Sequence, residues 1–181
     1  DPEAFPGEVA SYALDVADEA ALAAAAQDFI RRFGPPDLVI ANAGISLGVK
    51  TEFYEDLAQF RRVLDTNVLA MAATFHPFIA AMKARRRGTL VGIASVAGIR
   101  GLPGSEAYCA SKSAVITYCE SLRVELAKSD VKVVTISPGF IRTPLTAKNP
   151  YGMPFLMDAD DFARQAADAM VAGVRYRTIP W

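Results

Sequence analysis

The chain of 181 residues contains few of the residues that build metal centres and disulfide frameworks. Its two cysteines, Cys109 and Cys119, lie ten positions apart in one predicted helix, too far for a bridge within a regular helix. Reduced thiols are therefore expected, and they are typical of a cytoplasmic protein. Two such cysteines and a single histidine, His76, supply no ligand cluster of the zinc type, so we expect no metal site.

The chain also lacks a charge excess and a long apolar run. Its 19 basic and 20 acidic residues give a formal net charge of −1, which provides no reason to expect a nucleic-acid partner. No uninterrupted apolar segment reaches the roughly 18 residues that span a bilayer, so we expect no membrane span. A hydrophobic fraction of 52% is enough to bury the core of one globular domain in a chain of this length.

Strand-like apolar segments alternate with helical segments along the chain. Strands are predicted over residues 9–16, 37–44, 88–95 and 131–137, and residues 175–181 resemble the start of another. Helices are predicted over residues 19–33, 57–84, 106–128 and 158–173. Continuous runs of valine, isoleucine and leucine in the strands favour an α/β fold in which a parallel sheet has helices on both faces.

Polar or turn-forming residues follow the predicted strands. In parallel sheets of this kind, ligands bind beyond the carboxyl ends of the strands. The residues at these ends are, in chain order, Asp15, Asn42-Ala43-Gly44, Ser95 and Pro138-Gly139. Four separate segments thus supply such residues to one edge of the sheet, which predicts a ligand cleft there.

Tyr108 and Lys112 form the most informative pair in the chain. Because they are four positions apart in a predicted helix, their side chains lie one above the other. A neighbouring cation lowers the pKa of tyrosine from its usual value of roughly 10, towards the pH at which general acid–base catalysis works best. Ser95, at the same sheet edge, could donate to a substrate oxygen. Spacing alone leaves alternatives open: a half-buried tyrosine beside a solvated lysine, and a serine that caps a turn.

Six motifs in register resemble the short-chain dehydrogenase/reductase family. They are LDV (14–16), NAGI (42–45), DTNV (65–68), IASVAG (93–98), YCASK (108–112) and ISPGFIRT (136–143). The resemblance covers nearly the whole chain. It implies a doubly wound, Rossmann-type domain that transfers a hydride between NAD or NADP and a secondary alcohol or ketone. The choice between NAD and NADP stays open.

The resemblance implies a role for each residue that matches a catalytic position. Tyr108 would exchange a proton with the substrate, Lys112 would lower the tyrosine pKa and hydrogen-bond the nicotinamide ribose, and Ser95 would orient the substrate oxygen. Asn67 would hold a water that links Lys112 to a proton relay. An asparagine inside a helix is unfavourable by propensity, which is consistent with a functional cause.

The resemblance also implies two groups of cofactor-binding residues besides Tyr108 and Lys112. The adenosine end would be held by Asp15, Val16, Asn42, Ala43 and Gly44, with Asp15 and Val16 at the adenine. The nicotinamide side would be lined by Pro138, Gly139, Ile141 and Thr143, with the Ile141 backbone and the Thr143 hydroxyl suited to the carboxamide.

The chain lacks the glycine-rich dinucleotide fingerprint that the family carries in its first strand, turn and helix. We therefore interpret residues 1–181 as one Rossmann-type domain that is incomplete at both ends. It would extend from about the third strand of the family to the start of its last strand, Trp181 included. A second function stays open: a non-catalytic dinucleotide-binding sensor or scaffold protein of the same fold.

The resemblance implies partners as well. A loop with Pro144, Pro150 and Pro154 precedes the last predicted helix, at the position of the family's substrate lid. It carries apolar side chains, namely Met153, Phe155, Leu156 and Met157, which favour an apolar alcohol or ketone as substrate. Packing of this loop onto the core is the alternative. The family commonly pairs through its two long helices, here 57–84 and 106–128, so a homodimer or homotetramer is expected.

Overall fold

Helices and strands alternate in the computed structural model, which describes residues 7–147 and 152–180. The helices are α1 (Glu19–Phe33), α2 (Asp56–Leu64), α3 (Ala70–Ala84), α4 (Glu106–Glu125) and α5 (Ala159–Ala172). The strands are β1 (Leu38–Ala41), β2 (Gly88–Ile93), β3 (Val131–Pro138) and β4 (Tyr176–Ile179). A turn of π-helix, Asp65–Leu69, joins α2 to α3, and a 3₁₀ turn, Val96–Gly98, follows β2.

Local sequence signals place the ends of two helices. At the start of α1, the carboxylate of Asp18 accepts a hydrogen bond from the backbone N–H of Ala21 at 3.0 Å. Such a cap satisfies one of the N–H groups that a helix leaves unpaired at its start. At its end, Gly34 donates to the Ile30 carbonyl with a positive φ of 78°. Gly173 ends α5 in the left-handed conformation, which glycine adopts without steric cost.

The four strands form one parallel sheet in the order β1-β2-β3-β4. On one face α3 and α4 cover the sheet, with Phe75 and Val115 packed against Leu90. On the other face α5 covers it, with Met170 in the same buried cluster as Ile136. The predicted parallel sheet with helices on both faces is therefore confirmed, and its carboxyl ends all lie at one edge.

The strand predicted over residues 9–16 is wrong. This segment has no regular secondary structure, and its end is a turn in which Asp18 donates to the Asp15 carbonyl. A strand exists only where a neighbouring strand accepts its backbone hydrogen bonds, and no described strand lies beside this segment. The segment is instead attached to α1, because the hydroxyl of Tyr12 donates to Asp28 at 2.6 Å.

The long helical stretch predicted over 57–84 is interrupted by the π-helical turn Asp65–Leu69. Such turns insert an extra residue into a helix and are frequent at functional sites. By length and composition alone, the 29 residues Asp56–Ala84 could cross a membrane. In the structure Val63, Phe75 and Met82 from this stretch are fully buried in the domain. The absence of a membrane span stays a prediction.

Gly98 lets the turn after β2 approach α4 closely. A Cβ at this position would lie 2.7 Å from the Lys112 carbonyl carbon and 2.8 Å from its oxygen. The hydroxyl of Ser113 also donates to the Gly98 carbonyl. Because backbone atoms of a helix cannot move aside easily, we expect Gly98→Ala to push the turn, and Ser95 with it, away from the helix.

We predict that Gly98→Ala lowers the free energy of unfolding by about 1–3 kcal/mol, the usual cost of overpacking. Denaturant unfolding of the full-length protein measures it. Gly101→Ala is the matched control, because nothing lies within 4 Å of a Cβ placed there. A surface change of this kind is usually within about 0.5 kcal/mol. Equal effects of the two substitutions would contradict the close approach at Gly98.

Candidate active site

The first turns of α4 hold Tyr108 and Lys112 at the carboxyl edge of the sheet. Lys112 is 5% exposed, and its Nζ donates to the carbonyl of Ile93, the last residue of β2, at 2.8 Å. The same Nζ lies 5.6 Å from the centroid of the Tyr108 ring. The spacing of four residues therefore places the two side chains together, with the amine over the ring face rather than beyond its hydroxyl.

Burial dominates the protonation of both side chains. It raises the pKa of Tyr108, and the Ser95 hydroxyl lowers that pKa by a smaller amount. The lowering of the Tyr108 pKa by Lys112 that the resemblance implies stays a prediction, because the net shift of this pKa is upward and comes mainly from burial. Burial also lowers the pKa of Lys112 to about 8, since the charged form loses hydration. At neutral pH the phenol is protonated, and the buried amine carries a positive charge that is easily lost.

Ser95 both caps a turn and faces the phenol. Its Oγ accepts a hydrogen bond from the backbone N–H of Ala97 at 3.1 Å, which fixes the start of the turn Val96–Gly98. Ser95 is 8% exposed, and its hydroxyl interacts with the Tyr108 phenol, which lowers the pKa of that phenol. The two interpretations that spacing left open are thus compatible: the oxygen caps the turn, and the hydroxyl faces the phenol, where it could donate to a substrate oxygen.

Asn67 links the turn after β1 to α4. Its Oδ1 accepts from the Ile45 N–H at 2.8 Å, and its Nδ2 donates to the Ile45 carbonyl at 2.9 Å and to Ser111 Oγ at 2.9 Å. Asn67 lies in the π-helical turn and is 2% exposed. The Asn67 side chain thus connects its own π-helical turn to the turn after β1 and to α4. Its role in holding a water stays a prediction.

Ser111 is a site residue that the sequence did not single out. It is fully buried, accepts from Asn67 and donates to the carbonyl of Tyr108 at 2.7 Å. The signal was available, because serine is a poor interior residue of a helix unless its hydroxyl bonds to the preceding turn. Asn67 and Tyr108 are therefore connected through two hydrogen bonds to one hydroxyl.

Gly44 brings the turn after β1 against this group. A Cβ at Gly44 would lie 3.4 Å from Lys112 Nζ and 3.4 Å from Asn67 Oδ1. Glycine therefore leaves open a space beside the amine that a larger residue would restrict. In this way the structure joins Ser95, Tyr108, Lys112, Gly44 and Asn67 into one continuous group.

A cavity of about 610 Å³ adjoins this group. Asp15 and Val16 line it together with Ala43 and Gly44, four of the residues for which the resemblance implies adenosine binding. Asn42 lines a neighbouring cavity of about 200 Å³ instead. Asp15 accepts from the Ala17 N–H through Oδ1, and its other oxygen accepts no hydrogen bond from a described residue. The sequence did not indicate the wall from α2 and the following turn, which holds Arg61, Arg62, Asp65 and Thr66.

The end of β3 carries the second predicted group of cofactor-binding residues. After Pro138, the last residue of the strand, Gly139 donates to the Ile179 carbonyl at 2.8 Å. The Ile141 N–H donates to no described acceptor, and the Ile141 carbonyl accepts from Thr146 Oγ1 at 2.6 Å. Thr146 Oγ1 also accepts from the Thr143 N–H at 3.1 Å, a connection that the sequence did not reveal.

The group around Ser95, after β2, and the group around Pro138, at the end of β3, lie at the ends of neighbouring strands. The backbone N–H of Ala94 donates to the Ile136 carbonyl at 2.7 Å, which sets the end of β2 beside the end of β3. No hydrogen bond between described residues joins Pro138, Gly139, Ile141 or Thr143 directly to Tyr108. The pairing of β2 with β3, rather than a direct contact, therefore brings these residues to the same edge of the sheet as Tyr108.

The predicted lid is described in part. Residues 148–151, Pro150 among them, lie outside the described residues, as does Trp181. Met157 bridges to Ile141 as an isolated β-bridge and packs against the core under α5. Phe155 is 67% exposed. The loop thus contacts the core through Met157 while it presents Phe155 outward.

Residues 3–152 match the short chain dehydrogenase family. The chain belongs to this family. Short-chain dehydrogenases carry the Rossmann-type fold, and this chain shares it.

Two curated relatives show how much of such a protein is present. An uncharacterized oxidoreductase of Myxococcus xanthus (strain DK1622) is 43% identical over 148 residues, which are 82% of this chain and 58% of the relative. The 3-oxoacyl-[acyl-carrier-protein] reductase FabG of Thermotoga maritima is 31% identical over 153 residues, 82% of this chain and 60% of the relative. The chain therefore spans less than two thirds of the length of these two relatives.

A solved structure confirms the fold. ElxO with NADP bound superimposes with a TM-score of 0.79 at 26% identity, over 92% of this chain and 74% of the other. The fold described here is therefore shared with a protein that has been observed with NADP bound.

Proposed function

We propose that the full-length protein is an NAD(P)-dependent oxidoreductase of a secondary alcohol or ketone, with Tyr108 as the proton donor and acceptor. One observation carries the proposal: a protonated, half-buried phenol stands beside a serine hydroxyl and a buried amine. These three groups meet at the carboxyl edge of a parallel sheet, where ligands of such folds bind.

The residues present fit a nicotinamide dinucleotide at both ends. At the adenosine end, Asp15 offers a carboxylate oxygen without a partner in a cavity of about 610 Å³. At the other end, the Ile141 N–H is available to a carboxamide oxygen. Between them, Lys112 Nζ has two further N–H groups beyond the one given to Ile93, and Gly44 leaves the space beside it open.

The side chains of this chain would manage the substrate oxygen and its proton. The ketone oxygen would accept from Ser95 and Tyr108, which fixes its position and polarises the carbonyl. When bound, the nicotinamide would supply or accept the hydride. Tyr108 would give its proton to the developing alkoxide, and the Lys112 cation over the ring would stabilise the phenolate that remains.

The raised pKa of Tyr108 favours this direction of proton transfer. A phenol with a pKa above 10 is fully protonated at neutral pH, so it is ready to act as an acid. Reduction of a ketone is therefore the reaction that the resting protonation state supports at neutral pH. Oxidation of an alcohol needs the phenolate and would gain from alkaline conditions.

The apolar part of the lid supports an apolar ketone or alcohol as substrate. Met153, Phe155 and Met157 provide flexible or aromatic surface of the kind that adapts to hydrophobic ligands. Assembly into a homodimer or homotetramer and a cytoplasmic location remain parts of the proposal.

Turnover with a panel of carbonyl compounds tests this function. NADH and NADPH oxidation by the full-length protein would be followed at the absorbance of the reduced nicotinamide, with apolar ketones and sugar-derived ketones as separate arms. Turnover of any ketone supports an oxidoreductase. Dinucleotide binding without turnover across the whole panel would instead support the sensor or scaffold, the alternative that the same fold allows.

The pH dependence of reduction should report Lys112. We predict that kcat/KM for the ketone is constant below pH 8 and falls up to tenfold per pH unit above it, because the free protein loses the ammonium there. The phenol of Tyr108 loses its proton only at higher pH. Steady-state rates at fixed ionic strength between pH 6 and 10 measure the profile. A flat profile to pH 9.5 would contradict a titrating amine.

A further inference from the structure

Arg61 and Arg62 stand on the wall of the cavity that Asp15 lines. Both are exposed, and neither guanidinium makes a hydrogen bond or ion pair with a described residue. Asp65 lies four and three positions after them in the same helical stretch, yet neither pairs with it. Some arginines elsewhere in the chain do pair with a carboxylate: Arg86 with Asp130, and Arg142 with Asp158. Two unpaired guanidinium groups therefore share one cavity.

The other walls of this cavity suit a flat, neutral ring. Leu14, Val16 and Ala43 contribute apolar surface, and Asp15 contributes a carboxylate that could accept from an exocyclic amine. A volume of about 610 Å³ is within the range of small-ligand sites, roughly 300–1,000 Å³. A guanidinium group is planar and stacks well on the face of an aromatic base.

The charges of the cavity argue against a phosphate as the partner of these arginines. Asp15 and Asp65 line the same space, so the two positive charges of Arg61 and Arg62 are balanced by two carboxylates. A phosphate dianion would face both carboxylates at short range, which is unfavourable. A purine base carries no such charge and can accept hydrogen bonds from arginine through its ring nitrogens.

We propose that Arg61 and Arg62 cover the adenine base of the bound dinucleotide and contribute to its affinity. The inference rests on the proposed function, since it takes the cavity to be the adenosine end of a dinucleotide site. It assigns a binding role to the end of α2, an element that none of the recognised motifs includes. The role predicts a contribution shared by every ligand that contains adenine, with or without a 2′-phosphate.

Binding of ligand fragments to the full-length protein separates this role from others. Isothermal titration would give Kd values for ADP-ribose, NADH, NADPH and reduced nicotinamide mononucleotide. We expect the double variant Arg61→Gln/Arg62→Gln to bind each adenine-containing ligand about 5- to 20-fold more weakly, the range of a cation–π contact. The mononucleotide, which lacks adenine, should bind with unchanged Kd. The single variants Arg61→Gln and Arg62→Gln show how much each side chain contributes to the affinity.

Arg164→Gln is the matched control, because Arg164 is an exposed arginine of α5 that pairs with Asp161. It should leave every Kd within twofold. A loss confined to NADPH would overturn the inference in favour of a phosphate contact, and unchanged Kd values would show that the arginines are only solvated. An equal loss for the mononucleotide would indicate damage to the whole site. Failure of the wild-type protein to bind any dinucleotide would instead remove the proposed function itself.

Discussion

Tyr108→Phe should reduce ketone turnover by about 10²- to 10⁴-fold, the range that general acid–base catalysis contributes. The substitution removes one oxygen and keeps the ring that lies under Lys112 Nζ. Ser95 can still hold the substrate oxygen, but no proton donor remains beside it. Steady-state kinetics with the full-length protein measure the loss, which should appear in kcat rather than in the Kd of the dinucleotide.

Tyr118→Phe provides the control for Tyr108→Phe. Tyr118 is on the same helix, α4, and packs partly buried against the core, so its substitution tests the general effect of losing a phenol there. We expect its turnover to stay within twofold of the wild type. If Tyr108→Phe kept more than about a tenth of the wild-type rate, the proton would come from another group and the proposed mechanism would be wrong.

Local chemistry explains why much of the fold could be predicted. The continuous apolar runs at 88–95 and 131–137 contain β2 and β3 almost to the residue, since strands buried on both faces need apolar side chains throughout. Asp18 and Gly34 fixed the ends of α1 in the same way. Residues 9–16 have equally suitable side chains, yet they form no strand, because a strand depends on a neighbour that its own sequence does not specify.

The candidate site could also be predicted only in part. The spacing of Tyr108 and Lys112 placed the two side chains together, because helix geometry alone determines which residues share a face. The direction of the tyrosine pKa could not be derived in this way. It depends on how deeply the phenol is buried, which the spacing of the pair does not specify. Long-range packing, rather than spacing, decides whether the pKa of the tyrosine rises or falls.

Residues that act through hydrogen bonds to the backbone were the hardest to predict. Ser111 joins Asn67 to Tyr108, and Thr146 holds the turn that carries Thr143. Each is an ordinary polar residue in sequence, and its partner lies in another segment or across a turn. The family resemblance singled out Asn67, which is also unfavourable in a regular helix, and the structure places it in a π-helical turn.

Lys112→Met should abolish most of the activity and at the same time stabilise the protein at neutral pH. The side chain is 5% exposed, and burial lowers its pKa from 10.5 to about 8. At 1.36 kcal/mol per pKa unit, keeping this charge inside the folded protein costs about 3 kcal/mol. Methionine has a similar length and no charge, but it leaves the Ile93 carbonyl without its donor, a loss of about 1–2 kcal/mol. The net gain should be about 1–2 kcal/mol.

The pH dependence of that stability difference makes the prediction specific. Below pH 8 the lysine is protonated in both the folded and the unfolded chain, so its cost is constant. Between pH 8 and 10.5 the unfolded chain binds more protons than the folded one. The wild type therefore gains stability relative to Lys112→Met by about 1.4 kcal/mol per pH unit. Denaturant unfolding at pH 7, 8 and 9 measures this slope.

Lys128→Met is the control for this experiment, because Lys128 is exposed beyond the end of α4 and should show no such slope. A stability difference that stays constant from pH 7 to 9 would mean that Lys112 keeps its proton in the folded protein throughout this range, so that burial does not lower its pKa to about 8. A full slope already between pH 7 and 8 would instead mean that Lys112 is neutral in the folded protein, and the role proposed for its charge beside the phenolate would fail. A gain in stability with a loss of turnover would identify Lys112 as a charge that the fold keeps buried for function, at a cost to its own stability.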